Sequence, residues 1–252
     1  MTGLANAGVT KAGSKTRLYV IAAALMILVD VEAALQGRLA PQTRLHAQQP
    51  LAPQSHSRLF PPIDLGLLES PDRAAWQKPE QIMDVLHVAD GSKVADIGAG
   101  AGWFTIHLAR RVGPNGIVYS QDVQPQMIEA IRRRVGREGL QNVQTRLGVG
   151  SDPNLPAAGL DAIVVVDAYQ EVEDRVTFLQ NLARALKPNG LIGVVNWKPG
   201  RGGPGPAENV RVDKGSVTAD VRAAKLRIVD EETLPYQYMT GSRGSRRHFS
   251  TA

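Results

Sequence analysis

From about residue 70 the apolar positions alternate between short unbroken runs and stripes at three- and four-residue spacing, the mark of strands interleaved with helices. Ser70-Pro71-Asp72 predicts a helix start, and Pro79 opens a second helix with Ile82, Met83, Val85 and Leu86 inward. Lys93–Ile97 reads as a strand, Trp103–Val112 as a helix burying Phe104, Ile106, Leu108 and Val112, and Gly113-Pro114-Asn115-Gly116 as a turn. A strand at Ile117–Tyr119, a helix at Pro125–Glu138 (inner face Met127, Ile128, Ile131, Val135) and strands at Val143–Leu147 and Asp161–Val166 follow. The run Ile163-Val164-Val165-Val166 has no polar face, as expected of a strand covered on both sides in a parallel sheet. A helix at Val176–Leu186 is stopped by Lys187-Pro188-Asn189-Gly190, and a strand at Leu191–Trp197 comes next. A helix near Thr218–Ala224 and strands at Leu226–Val229 and Tyr236–Met239 complete the domain. This order predicts an α/β, Rossmann-like doubly wound sheet that binds ligands at the carboxyl ends of its strands.

The N-terminal pattern is different. Lys11, Lys15 and Arg17 precede a 12-residue apolar run, Leu18–Val29, which Asp30 and Glu32 end. The run falls short of the roughly 20 residues of a comfortable membrane span and has the length and charge order of an export signal. Residues 1–40 are therefore expected to be a signal or membrane-anchor segment, with membrane association through residues 18–29. Val31-Glu32-Ala33 is a loose match to a cleavage site. The alternative is a helix buried in a cytoplasmic protein. Prolines at 41, 50, 53, 61 and 62, without periodicity, place a linker at 41–69.

The chain has 252 residues, 43% of them hydrophobic, enough for one such domain. It has no cysteine, which excludes disulfides, thiol nucleophiles and cysteine-held metals. The five histidines are scattered, and no metal-ligand cluster is visible. The net charge of +5 resides at the ends: residues 1–60 carry +4, residues 241–252 carry +3 as a basic tail, and residues 61–240 carry −2. A slightly acidic domain argues against a nucleic-acid partner.

The chemistry concentrates in Val94-Ala95-Asp96-Ile97-Gly98-Ala99-Gly100-Ala101-Gly102-Trp103, a strand, a glycine turn and a helix start. Glycines let backbone approach a ligand closely. A dinucleotide fingerprint needs its third glycine at the position held by Trp103. Asp96, two residues before Gly98, would repel a pyrophosphate and suits a ligand presenting positive charge. The pattern points to S-adenosyl-L-methionine (SAM) rather than NAD. Asp122, about 20 residues past the loop, stands where a carboxylate takes ribose hydroxyls; capping the helix at Pro125 is the alternative.

VADIGAGAGWFTIHLARRVGPNGIVYSQDVQPQMIEAI and LARALKPNGLIGVVNW resemble class I SAM-dependent methyltransferases, nearest to bacterial small-molecule enzymes of the ubiquinone and menaquinone type. The likeness spans residues 70–240 and implies a seven-stranded sheet whose last strand is antiparallel. It implies Asp96 and Gly98 at the methionine end and Asp122 at the ribose, with Gly100 and Gly102 also in the cofactor set. Asp152 would lie near the adenine, or serve as a turn residue before Pro153. Asp167 joins the cofactor set. Tyr169 and Glu171, after the fourth strand, are the catalytic candidates, with Glu171 alternatively a solvated member of an acidic run. Gln170 stands where relatives carry His. Arg132-Arg133-Arg134 reads as a solvated face. The stretch after Val166 lacks the Asn/Asp-Pro-Pro-aromatic motif of amide and nucleobase methylases.

The expected function is methyl transfer from SAM to a small-molecule acceptor, and no metal is expected. The alternative is a non-catalytic SAM-binding protein, exported or anchored.

Overall fold

A computed structural model of the chain describes residues 69–200 and 203–244. The expectations for residues 1–68 and 245–252 lie outside them. In chain order the elements are α1 (Arg73–Gln77), α2 (Pro79–Val85), β1 (Lys93–Ile97), α3 (Trp103–Val112), β2 (Ile117–Asp122), α4 (Pro125–Arg137), β3 (Val143–Leu147) and β4 (Leu160–Val166). A 3₁₀ turn (Tyr169–Glu171), α5 (Arg175–Ala185), β5 (Leu186–Trp197), a second 3₁₀ turn (Glu208–Val210), α6 (Lys214–Ala223), β6 (Leu226–Thr233) and β7 (Gln237–Gly244) follow.

The strands form one seven-stranded sheet in the order β3-β2-β1-β4-β5-β7-β6. The first five pair in parallel, and β7 runs antiparallel to both β5 and β6. Strand order reverses between β1 and β4, so the crevice at their carboxyl ends is the expected ligand position.

Alternation along each strand divides the core between two faces. Val94, Val118, Ala162, Val164, Val195 and Met239 pack with Ile82 and Met83 of α2 and Phe104 and Leu108 of α3. Ala95, Ile97, Ile163, Val165, Ile192 and Val194 face the other way, onto Phe178, Leu179 and Leu182 of α5 and Val217 and Val221 of α6. Helix α4 joins the first face: the Arg132 Nε donates to Thr145 Oγ1 at 3.2 Å, and Ile131 lies against Gly102.

Several boundaries differ from the sequence reading. Helix α1 begins at Arg73, and Asp72 makes no side-chain cap bond because its carboxylate accepts from the Ser70 hydroxyl. Strand β5 starts at Leu186: the Lys-Pro-Asn-Gly stretch runs extended, with Gly190 so near the Leu160 carbonyl that a Cβ would stand 2.8 Å from its oxygen. Strand β7 runs to Gly244, so the sheet takes in residues 241–244, assigned from sequence to the tail. Between β3 and β4, residues 148–159 cross over as coil, braced by a bridge between Val149 and Asp152.

Candidate functional site

Strand β1 ends in the glycine loop. Gly98, Gly100 and Gly102 have φ of 67°, 55° and 78°, the left-handed region that glycine enters without a Cβ penalty. The loop is held from β2. Ala99 N–H donates to the Gln121 carbonyl at 2.9 Å, and Gly100 N–H donates to Asp122 Oδ2 at 3.0 Å. The other oxygen, Oδ1, accepts from Gln124 N–H at 2.9 Å. Asp122 thus ends β2 beside the loop and holds the N–H of Gln124, the residue before α4; it does not cap that helix, whose first turn has no side-chain cap. Burial raises its pKa, and the Gln124 and Gly100 N–H groups oppose that.

Asp96 lies beneath the first turn of α3, only 1% exposed. Its Oδ2 accepts from Thr105 Oγ1 at 2.6 Å, and that hydroxyl sits 2.7 Å from Ser120 Oγ. Burial lifts its pKa to about 6, against the Thr105 bond and the positive charge of Arg73.

Asp167 follows β4 with φ of 58°, a left-handed conformation that Asp tolerates better than most residues. Its N–H donates to the Val195 carbonyl at 3.0 Å. Gln237 Nε2, at the start of β7, donates to Oδ1, and Arg73 Nη2 of α1 stands 3.8 Å from Oδ2. Gln77 ties the group together: it accepts from Arg73 Nε at 3.3 Å and donates to Gln237 Oε1. Burial raises the Asp167 pKa to about 7, with Arg73 and Gln237 opposing. The Arg73 guanidinium, 4.4 Å from the centre of the Trp103 ring, is within cation–π range of the first residue of α3.

The other expected residues are placed elsewhere. Tyr169 turns into the core, 0% exposed, and its hydroxyl donates to Asp220 Oδ2 of α6 at 3.0 Å. Burial and the neighbouring carboxylate push its pKa far above the ordinary phenol value, so it is not a proton acceptor for a substrate. Glu171 closes the same 3₁₀ turn, half-buried, its N–H bonded to the Ala168 carbonyl at 3.0 Å. Asp152 is exposed, and its Oδ1 accepts from Asn154 N–H at 2.9 Å, the turn role. Arg134 departs from the solvated reading: it pairs with Glu69 at 3.0 Å and donates to the Ala101 carbonyl of the loop at 3.2 Å.

Arg73, Gln77, Gln237, Thr105 and Arg134 were not singled out from sequence. Thr105 carried a weak signal, a hydroxyl nine residues after Asp96 in the first turn of the loop helix. Gln237 carried none, since its partner is 70 residues away.

Residues 94–190 match the family described as "Methyltransferase domain". The chain is 31% identical to nocamycin O-methyltransferase of Saccharothrix syringae over 119 residues, 47% of this chain and 42% of that protein. It is 31% identical to demethylmenaquinone methyltransferase of Geobacillus stearothermophilus over 116 residues, 46% of this chain and 49% of that one. The chain thus spans about half the length of the curated relatives it matches. Among solved structures, a SAM-dependent methyltransferase from Aquifex aeolicus superposes with a TM-score of 0.70 at 26% identity, covering 73% of this chain and 98% of that one. On sequence and on fold, the chain is similar to class I SAM-dependent methyltransferases, whose cofactor is S-adenosyl-L-methionine.

Proposed function

We propose that the domain transfers a methyl group from SAM to a small-molecule acceptor, with the cofactor laid across the carboxyl ends of β1, β2 and β3. The observation that carries this reading is the Asp122 carboxylate braced beside the glycine loop. An ionised carboxylate offers about four acceptor positions. Gly100 and Gln124 take one position on each oxygen, which leaves acceptor capacity for the ribose hydroxyls. The loop suits the methionine end: its glycines leave no side chain in the way, and Asp96 supplies the charge opposite an ammonium. For the adenine, Val149 is 77% exposed and Leu147 44% exposed at the end of β3, an apolar surface next to Asp122. Asp152 shapes the turn that presents them.

SAM supplies a methyl carbon on a positive sulfur that becomes neutral on transfer. The protein's part is to align acceptor and methyl and to exclude water. Trp76 and Trp197 pack with ring centres 5.2 Å apart at the ends of α1 and β5, beside the end of the sheet proposed to face the acceptor. The nocamycin and demethylmenaquinone enzymes carry small-molecule names, which supports an acceptor of that kind. Residues 18–29 are proposed to hold the protein at a membrane, tested by fractionating cells that express the full chain beside a chain starting at residue 41.

Calorimetry of the full chain with SAM, its demethylated product and NAD tests the cofactor reading. Micromolar binding of the first two and no heat from NAD is expected. Heat from NAD alone would overturn it.

A further inference from the structure

Asp167 stands just past the end of β4, beside the glycine loop. It is one residue from Ala168, whose Cβ fills the space in front of Gly98: a Cβ on that glycine would stand 2.3 Å from it. The end of β4 and the cofactor loop are therefore in direct contact. The side chain is largely buried, 16% exposed. Its two oxygens are treated differently. Oδ1 is fixed by Gln237. Oδ2 has Arg73 at 3.8 Å, beyond hydrogen-bond length, and no hydrogen bond among the described residues. The left-handed backbone and the bond from Gln170 Nε2 to its carbonyl fix the turn that carries it.

The other carboxyl and phenol groups nearby are committed elsewhere. Tyr169 donates to Asp220 on the far face of the sheet, and Asp96, proposed to face the cofactor ammonium, has its Oδ2 bonded by Thr105.

We infer that Asp167 takes the proton from a methyl acceptor of the hydroxyl class, with Arg73, Gln77 and Gln237 as positioning residues. This rests on the cofactor reading above. In the step, the acceptor oxygen forms a bond to the methyl carbon as the carbon–sulfur bond breaks. That electron pair stays on sulfur, giving the neutral thioether, and the O–H proton passes to Asp167 Oδ2. The groups facing Asp167 fit the task. Arg73 on α1 steadies the charged form, Gln237 on β7 orients it, and Asp96 on β1 reaches it only through Arg73. Glu69 and Arg134 act on Arg73 with opposite sign. Burial leaves the carboxyl titrating at about 7, in the range where a general base is effective.

The test compares the full chain with Asp167→Asn, which keeps the left-handed turn accessible and the side-chain shape, and with Gln237→Leu, which frees Oδ1. SAM binding is measured by calorimetry, and transfer is followed as release of demethylated cofactor with phenol, dihydroxybenzenes, benzyl alcohol and, as an acceptor without a proton to lose, dimethyl sulfide. Expected is transfer to a hydroxyl acceptor, with kcat lowered about 100-fold or more in Asp167→Asn and SAM affinity within twofold of the parent. The rise of kcat/KM with pH around 7 should vanish in that variant and shift in Gln237→Leu. Unchanged kcat in Asp167→Asn, or transfer to dimethyl sulfide alone, overturns the inference. So does a tenfold loss of SAM affinity in that variant, which would return Asp167 to the cofactor set. A parent protein that binds no SAM refutes the proposed function instead.

Discussion

The Gly100 N–H donates to Asp122 Oδ2 at 3.0 Å, so the residue proposed to hold the cofactor ribose is also the brace of the loop proposed for its methionine end. Asp122→Ala is expected to weaken SAM binding by about 1.5–3 kcal/mol, the scale of hydrogen bonds to a charged group. It should also lower the melting temperature of the ligand-free protein, because Gly100 and Gln124 both lose their acceptor. The brace is visible only in the fold. Calorimetry and a thermal melt on the same sample separate the two effects, and unchanged affinity would leave Asp122 with the bracing role alone.

Thr105→Val keeps the shape of the side chain and removes the hydroxyl that bonds Asp96. A buried carboxylate deprived of its donor costs about 1–3 kcal/mol. Urea denaturation should show a lower midpoint with an unchanged slope. A midpoint equal to the parent's would mean that Ser120 takes over the bond.

Asp96 and Asp167 titrate at about 6 and about 7 in the folded protein, against an ordinary value of 3.8. Between pH 4 and 7 the native state therefore holds protons that the unfolded chain has released. Stability contributed by these groups is greatest at the acid end of that window and falls as pH rises through it. The ligand-free protein should melt higher at pH 5 than at pH 8, and Asp167→Asn should flatten the upper part of the curve. SAM binding should show the opposite trend, strengthening as Asp96 loses its proton opposite the ammonium. Melts and calorimetry across pH 5–8 check both signs.

Gly98→Ala meets two obstacles, a φ of 67° and the Ala168 Cβ at 2.3 Å. It should cost SAM affinity and stability together. Ala168→Gly added to it removes the clash and leaves the backbone strain, so the double variant should recover part of the loss. Full recovery would show that the left-handed conformation at 98 contributes nothing.

Much of this was legible in the chain. Helix α3 and strands β1 and β3 have the bounds that periodicity gives, because each is a short amphipathic or apolar segment closed by glycine or a turn. Asp96 and Asp122 stand where spacing from the glycines puts them. Tyr169 was misplaced because a 3₁₀ turn after β4 swings its ring into the core, and a three-residue turn leaves no periodic trace. Arg73, Gln77 and Gln237 were illegible for another reason. Each is an ordinary polar residue until α1, β4 and β7 come together, and that meeting is a property of strand order rather than of local pattern.

The antiparallel direction of β7 has a consequence for assembly. A strand running against its neighbours begins where they end, so Gln237, its first residue, arrives at the same end of the sheet as Asp167, beside Trp197 of β5. The glycine loop is specified by residue 102 and its brace by residue 124, early in synthesis. The residues proposed for the cofactor therefore lie within residues 96–152, while Asp167 has its partner on a strand 70 residues further along.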